Sequence, residues 1–173
     1  MLRSQETKGL LAADLADHIE SVDDGYCVTT SQSPELGACG RTIFILHRVD
    51  DDHDIASAMA MARGFPKDVL CYGHKVRLQL NNYYTKKRVR YISNCKLFLH
   101  SRPVSITAYS RKSHKQEACV FFSANFDTVW EVEHNNPNLR FEMKGKPVKA
   151  NEPVVLKHAS TSHHLAACKL PHK

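Results

Sequence analysis

The chain has 173 residues, enough for one domain of ordinary size. Its hydrophobic content of 42 % supports a core and excludes wholesale disorder. A net charge of +6 favours an acidic partner, whether nucleic acid, an anionic membrane surface or an acidic protein.

Leu10, Leu11, Leu15 and Ile19 recur at helical spacing, which predicts a short helix over residues 9–20. Residues 21–40 are rich in Ser, Thr, Gly and Asp and read as loop. "RTIFILHRV" (41–49) is a short apolar run with β-branched and aromatic residues, the pattern of a buried strand. "DDDHDIASAMAMARGFP" (50–66) opens on Asp N-caps, continues with helix formers and ends on Gly64 and Pro66, which predicts a small helix. From Asp68 onward the texture changes. "VLCYGHKVRLQL" alternates at Val76, Leu78 and Leu80, the period of a half-buried strand. "CKLFLHS", "PVSITAY", "ACVFF", "TVWEVE", "LRFEM" and "PVVLKH" read as further short strands between polar turns. Many short strands and few helices predict an all-β sandwich or barrel. Val76, Leu78, Leu99, Trp130, Val132, Val154 and Leu156 are the expected core.

A short internal repeat points to a barrel built from copies. "HKVRLQL" leads through a polar stretch to "KLFLHS", and "EPVVLKH" leads to "HHLAAC". "DTVWEVE" closes the first of these, and "RTIFILH" looks like the closing strand of an earlier copy.

No apolar run approaches the roughly 20 residues that span a bilayer. The N-terminal "MLRSQETKGLLAADLADHIE" lacks the apolar region of a signal peptide, so a cytosolic chain without a membrane partner is expected. The six cysteines lie far apart with no C-x-x-C pair, and in a reducing compartment they read as buried small hydrophobes.

Several residue sets invite a chemical reading. His158, His163, His164 and Cys168 resemble a zinc set, but adjacent histidines on a strand point to opposite faces, leaving at most three convergent ligands. No cysteine has a nucleophile signature, and no glycines form a phosphate-binding loop. The chain therefore reads as a non-enzyme that needs no metal or other cofactor. Trp130, the only tryptophan, sits on an apolar strand and reads as a core anchor; Asn125 and Asp127 nearby keep a sugar-binding platform open. "KKRVR" (86–90) and "RKSHK" (111–115) lie among Tyr83, Tyr84, Tyr91 and Tyr109. Such interleaving binds single-stranded nucleic acid in some proteins, and is otherwise a solvated hairpin face or a dock for an acidic protein. On a strand, Lys86, Arg88 and Arg90 share one face.

"YGHKVRLQL" and "PVVLKHASTSHHLAA" resemble the opening strand pairs of MIR-type β-trefoil repeats. "GRTIFILHR" (40–48), "VLCYGHKVRL" (69–78) and "NPNLRFEMKGKPVKANEPVVLKHASTSHHLAA" (136–167) are more closely similar to the cilia- and flagella-associated protein 161 family. The most specific part is G-x-P-V-x-A-N before the strand and H-x-x-T after it. The resemblance implies an all-β, MIR-like β-trefoil with one or two short helices, incomplete at both ends. Residues 1–40 would be an N-terminal helix and loop of a partial first unit, and 41–173 the remainder, with an insert at 50–66. It further implies a structural microtubule inner protein, bound in the lumen of the doublet microtubules of the ciliary or flagellar axoneme. Its partners would be α/β-tubulin and other inner proteins, not nucleic acid. Lys86, Lys87, Arg88, Arg90, Arg111 and Lys112 are the expected contacts. A nucleic-acid-binding β-barrel and a carbohydrate-binding MIR module are the alternatives.

Overall fold

The structure, a computed structural model, describes residues 1–19, 25–31, 38–49, 54–88, 96–111 and 113–167, without the side chains of 86–88. Its backbone contacts divide it into two compact units. The first comprises residues 1–46, 78–128 and 166–173, and the second 47–77 and 129–165.

In the first unit, β1 (Leu10–His18) pairs antiparallel with β2 (Tyr26–Ser31), which pairs with β6 (Ala118–Phe121), which pairs with β5 (Phe98–Ser101). β5 meets β4 (Lys75–Leu80) at Gln79↔Phe98. The predicted N-terminal helix is therefore a strand, and part of the predicted 21–40 loop is its partner. Leu10 to Ala13 are buried without interruption, a run with no polar face to give to solvent. A ladder from Leu10↔Ser31 to Asp14↔Cys27 supplies its hydrogen bonds, and this tertiary pairing overrides the helical propensity of the alanines. Ala13, Leu15, Leu80, Leu97 and Val120 form the core here. β3 (Phe44–Arg48) forms as predicted, but Ile45 and Leu46 are exposed, so it is not a buried strand.

In the second unit, β7 (Trp130–His134) lies between the first residues of β4 and β8 (Val154–His158). The registers are Val76↔Trp130 and Trp130↔His158. The two V-x-L strands of the sequence repeat thus flank one aromatic strand. The expected partner "HHLAAC" is reduced to a single bridge, Lys157↔His164. Val76, Trp130, Val132 and Leu156 are buried as expected, and so are Leu78 and Leu99 in the first unit; Val154 is only half-buried.

Three other predicted elements differ. "PVSITAY" (103–109) forms no strand, and closes on itself through Ser105 N–H donating to the Ala108 carbonyl. "LRFEM" becomes a helical turn, α3 (Arg140–Met143), because the Asn136 side chain caps the preceding turn at Asn138 and Pro137 fits its first position. The basic "hairpin" begins as a helix, α2 (Asn82–Arg88). The G-x-P-V-x-A-N motif has a backbone reason: Gly145 and Asn151 both adopt positive φ, 74° and 63°.

Candidate interaction surface

The basic segment rests on a well-anchored helix start. Asn81 donates its N–H to the Ile43 carbonyl, and its side chain accepts from Tyr83 N–H at 2.8 Å. Thr85 is buried and donates back to the Asn81 carbonyl. Tyr84 packs so closely on Gly40 that a Cβ there would meet it at 2.9 Å. An Asn N-cap before helix formers is the signal that strand periodicity obscured. Lys86, Lys87 and Arg88 lie on α2, where positions two apart share no face. The strand on which Lys86, Arg88 and Arg90 were expected to share a face is thus a helix as far as Arg88. Arg90, Tyr91 and Lys112 fall outside the described residues, and Arg111 is exposed. Of the tyrosines, Tyr83 is exposed, while Tyr84 is half-buried against the core. From Asn82 to Gln116 the chain carries nine Lys and Arg and no Asp or Glu, a run that charge counting by segment would have found.

The cations of the second unit stand otherwise. Lys157 Nζ lies 2.7 Å from both Glu131 Oε2 and Glu133 Oε1, and Arg140 lies 2.9 Å from Glu133. Burial opposes the charge of Glu133, but Lys157, Arg140 and His164 together outweigh it and hold the carboxyl below its usual range. Burial likewise opposes the charge of Lys157, and the two glutamates raise its pKa above the usual value. These cations are occupied by carboxylates of their own unit.

α1 (Ile55–Ala62) is the other unusual surface. Asp54 caps it, accepting from Ala56 N–H at 3.2 Å and from Ser57 Oγ at 2.6 Å. Arg48 reaches across to Ser57 Oγ and the Lys67 carbonyl, both at 2.8 Å. Ala56 and Ala60 are buried toward two glycines. A Cβ on Gly73 would sit 2.8 Å from Ala56 Cβ, and one on Gly145 would sit 2.7 Å from Met59 Cβ. The outer face carries Ile55 (64 % exposed), Ala58, Met61 (56 %) and Ala62. No charged residue occurs between 55 and 62. A surface helix ordinarily turns a polar face outward, and one apolar all round is ordinarily covered.

The residue sets with chemical promise have structural uses. His158 is buried beside Trp130, ring centroids 4.9 Å apart, and its Nδ1 lies 2.8 Å from Thr161 Oγ1. This is the H-x-x-T turn. His163 and His164 are exposed, so His158 does not converge with them, and Cys168 lies outside the described residues. Among the described residues, no group of three or more His, Cys, Asp or Glu is placed to hold a metal ion. Trp130, 2 % exposed, offers no platform to a sugar. One arrangement escaped the sequence: Cys119 Sγ lies 3.5 Å from His100 Nδ1, and His100 Nε2 lies 3.7 Å from Asp127 Oδ2. It has the order of a Cys–His–Asp triad, but the thiol is fully buried and burial pushes it up to about 12, the reverse of an activated nucleophile.

Among the described residues, eight short strands around such cores define an all-β protein with a MIR-like fold. The same fold is found in the SDF2-like protein of Arabidopsis thaliana, with a TM-score of 0.62 and 18 % identity, over 94 % of this chain and 71 % of that one. The model of the cilia- and flagella-associated protein 161-like domain matches residues 15–171, and the chain belongs to that family, which is associated with cilia and flagella. It is similar to cilia- and flagella-associated protein 161 of Bos taurus, 27 % identical over 57 % of this chain and 28 % of that protein. The Danio rerio protein is 35 % identical over 41 % of this chain and 24 % of its own length. The Mus musculus protein is 34 % identical over 40 % and 23 %. The chain thus spans about a quarter of the length of the curated relatives it matches.

Proposed function

We propose that the chain is a non-catalytic structural component of the ciliary or flagellar axoneme, bound in the lumen of doublet microtubules to α/β-tubulin and neighbouring inner proteins. The observation that carries this reading is α1, an uncharged helix seated firmly on its own unit yet apolar on its outer face. A permanent assembly partner accounts for such a helix where a freely diffusing enzyme would not. The acid-free stretch supplies the second contact, through Lys86, Lys87, Arg88, Arg90, Arg111 and Lys112. Surface charge pairs contribute only about 0–1 kcal/mol each. No single charge reversal should release the chain, whereas reversing residues 86–90 together should.

Cryo-electron tomography of demembranated axonemes, comparing cells with and without the protein, tests the reading. Loss of a luminal density in the null cells is the expected result. A density outside the doublet, or departure of the protein with the membrane fraction, would refute it.

A further inference from the structure

β5 and β6 are joined by residues 102–117, and the base of this loop is fixed. Ser101 pairs with Ala118, and Ser101 Oγ donates to the Glu117 carbonyl and accepts from Gln116 Nε2, both at 2.8 Å. A first turn is closed reciprocally. Ser105 N–H donates to the Ala108 carbonyl, and Ala108 N–H donates to Ser105 Oγ, both at 3.1 Å, with Ala108 buried beneath. A second turn follows, in which Ser110 N–H donates to the Lys115 carbonyl and His114 N–H to the Ser110 carbonyl. Tyr109 and His114 stack across it at 5.8 Å.

This scaffold holds Ile106 at the tip of the first turn, 96 % exposed, with Val104 exposed beside it. Scattered apolar side chains on a surface are ordinary. Two of them on one closed turn are displayed, because the hydrogen bonds keep them from folding back onto the core. The same loop carries Arg102, Arg111 and Lys115, within the stretch of nine cations and no carboxylate. Anionic membranes and acidic proteins both suit that charge. A single closed turn with two branched side chains is shaped for a recess on a protein, and lacks the extended amphipathic face that lies on a bilayer.

We propose that the β5–β6 loop is a docking element in which Val104 and Ile106 enter an apolar recess on an acidic protein surface, with Arg102, Arg111 and Lys115 around its rim. The inference rests on the tubulin reading, which makes that surface one of α/β-tubulin. Anchors of this kind at the centre of a desolvated contact dominate affinity, while rim charges steer approach.

The test uses the full chain, fluorescently labelled, against three probes: purified α/β-tubulin dimers, polyglutamate, and phosphatidylserine vesicles. The double variant Val104→Ser/Ile106→Ser keeps every charge, and urea unfolding verifies that it folds. Tubulin affinity should fall about tenfold or more, with polyglutamate affinity unchanged. Equal tubulin affinity in wild type and variant would overturn the docking element and leave the tubulin reading standing. A wild-type chain that does not bind tubulin would overturn both. Vesicle binding stronger than tubulin binding, and lost in the variant, would replace the protein partner by a membrane.

Discussion

Gly145→Ala probes the seat of α1. Gly145 has φ 74°, and a Cβ there would lie 2.7 Å from Met59 Cβ and 3.1 Å from the Ala60 backbone nitrogen. The second atom belongs to the helix itself and cannot swing aside as a side chain does. Two costs therefore add: about 1–2 kcal/mol for alanine in left-handed backbone, and about 1–3 kcal/mol for overpacking. Gly64 separates them. It has nearly the same φ, 79°, and nothing within 4 Å of its would-be Cβ. Gly64→Ala should lose only the first cost, about 1–2 kcal/mol, and Gly145→Ala both, about 2–5 kcal/mol. Urea unfolding followed by the fluorescence of Trp130, the sole tryptophan, measures the difference, provided the denaturant slopes agree. Losses equal within about 0.5 kcal/mol would show that α1 is not seated on Gly145.

Truncating buried Trp130 to Ala should cost about 3–5 kcal/mol, whereas Phe141→Ala, at a position 90 % exposed, should stay within about 0.5 kcal/mol. Urea unfolding followed by far-ultraviolet circular dichroism, which does not depend on the tryptophan, decides, and a Trp130 loss as small as that of Phe141 would revive a ligand platform. The Glu133–Lys157 contact predicts a pH window. Glu133 has its folded pKa below the usual 4.5, so its contribution is complete above pH 4.5 and is lost as pH falls through the lower folded value. Lys157 lies above the usual 10.5, so its part is complete below pH 10.5 and is lost as pH rises through the higher value. Unfolding across pH should find Glu133→Gln less stable than wild type inside that window and convergent with it in acid; a gap that widens in acid would contradict the assignment. Cys119, with its thiol pushed up to about 12, should resist iodoacetamide until the chain unfolds, while the partly exposed Cys39 reacts before it. Mass mapping of the alkylated peptides reads the order, and equal labelling in the native state would show the thiol to be accessible.

β4 and β7 were legible because their apolar residues alternate: Val76, Leu78 and Leu80 on one, Trp130 and Val132 on the other. The helix over 55–62 announced itself by Asp54, Gly64 and Pro66. β1 was illegible for a physical reason. A strand buried on both faces shows no alternation, and its Leu-Leu-Ala-Ala run fits a helix equally well until β2 supplies the ladder. "PVSITAY" failed oppositely. It alternates correctly, but Val104 and Ile106 are turned to solvent, and alternation says nothing about which face has a partner. Of the candidate surface, the basic residues could be read from the sequence. The helical start at Asn82 was missed, because the strand pattern hid the Asn81 cap that marks it. The His100–Cys119 contact depends on the Ser101↔Ala118 register, which fixes who faces whom across β5 and β6.

The separation of charge between the neutralised strands β7 and β8 and the acid-free stretch 82–116 has a kinetic consequence. Ion pairs 2.7 Å long cancel one another's field at a distance, whereas nine Lys and Arg in a stretch of sequence without Asp or Glu reinforce theirs. For the acidic partner proposed above, the stretch 82–116 would therefore supply most of the long-range attraction. Raising ionic strength, with a screening length of about 8 Å at physiological salt, would slow that arrival. Departure, if governed by the apolar contact proposed for α1, would hardly change. Assembly of this protein would then be set by the salt of the compartment where it is loaded, and its residence by contacts that salt does not reach.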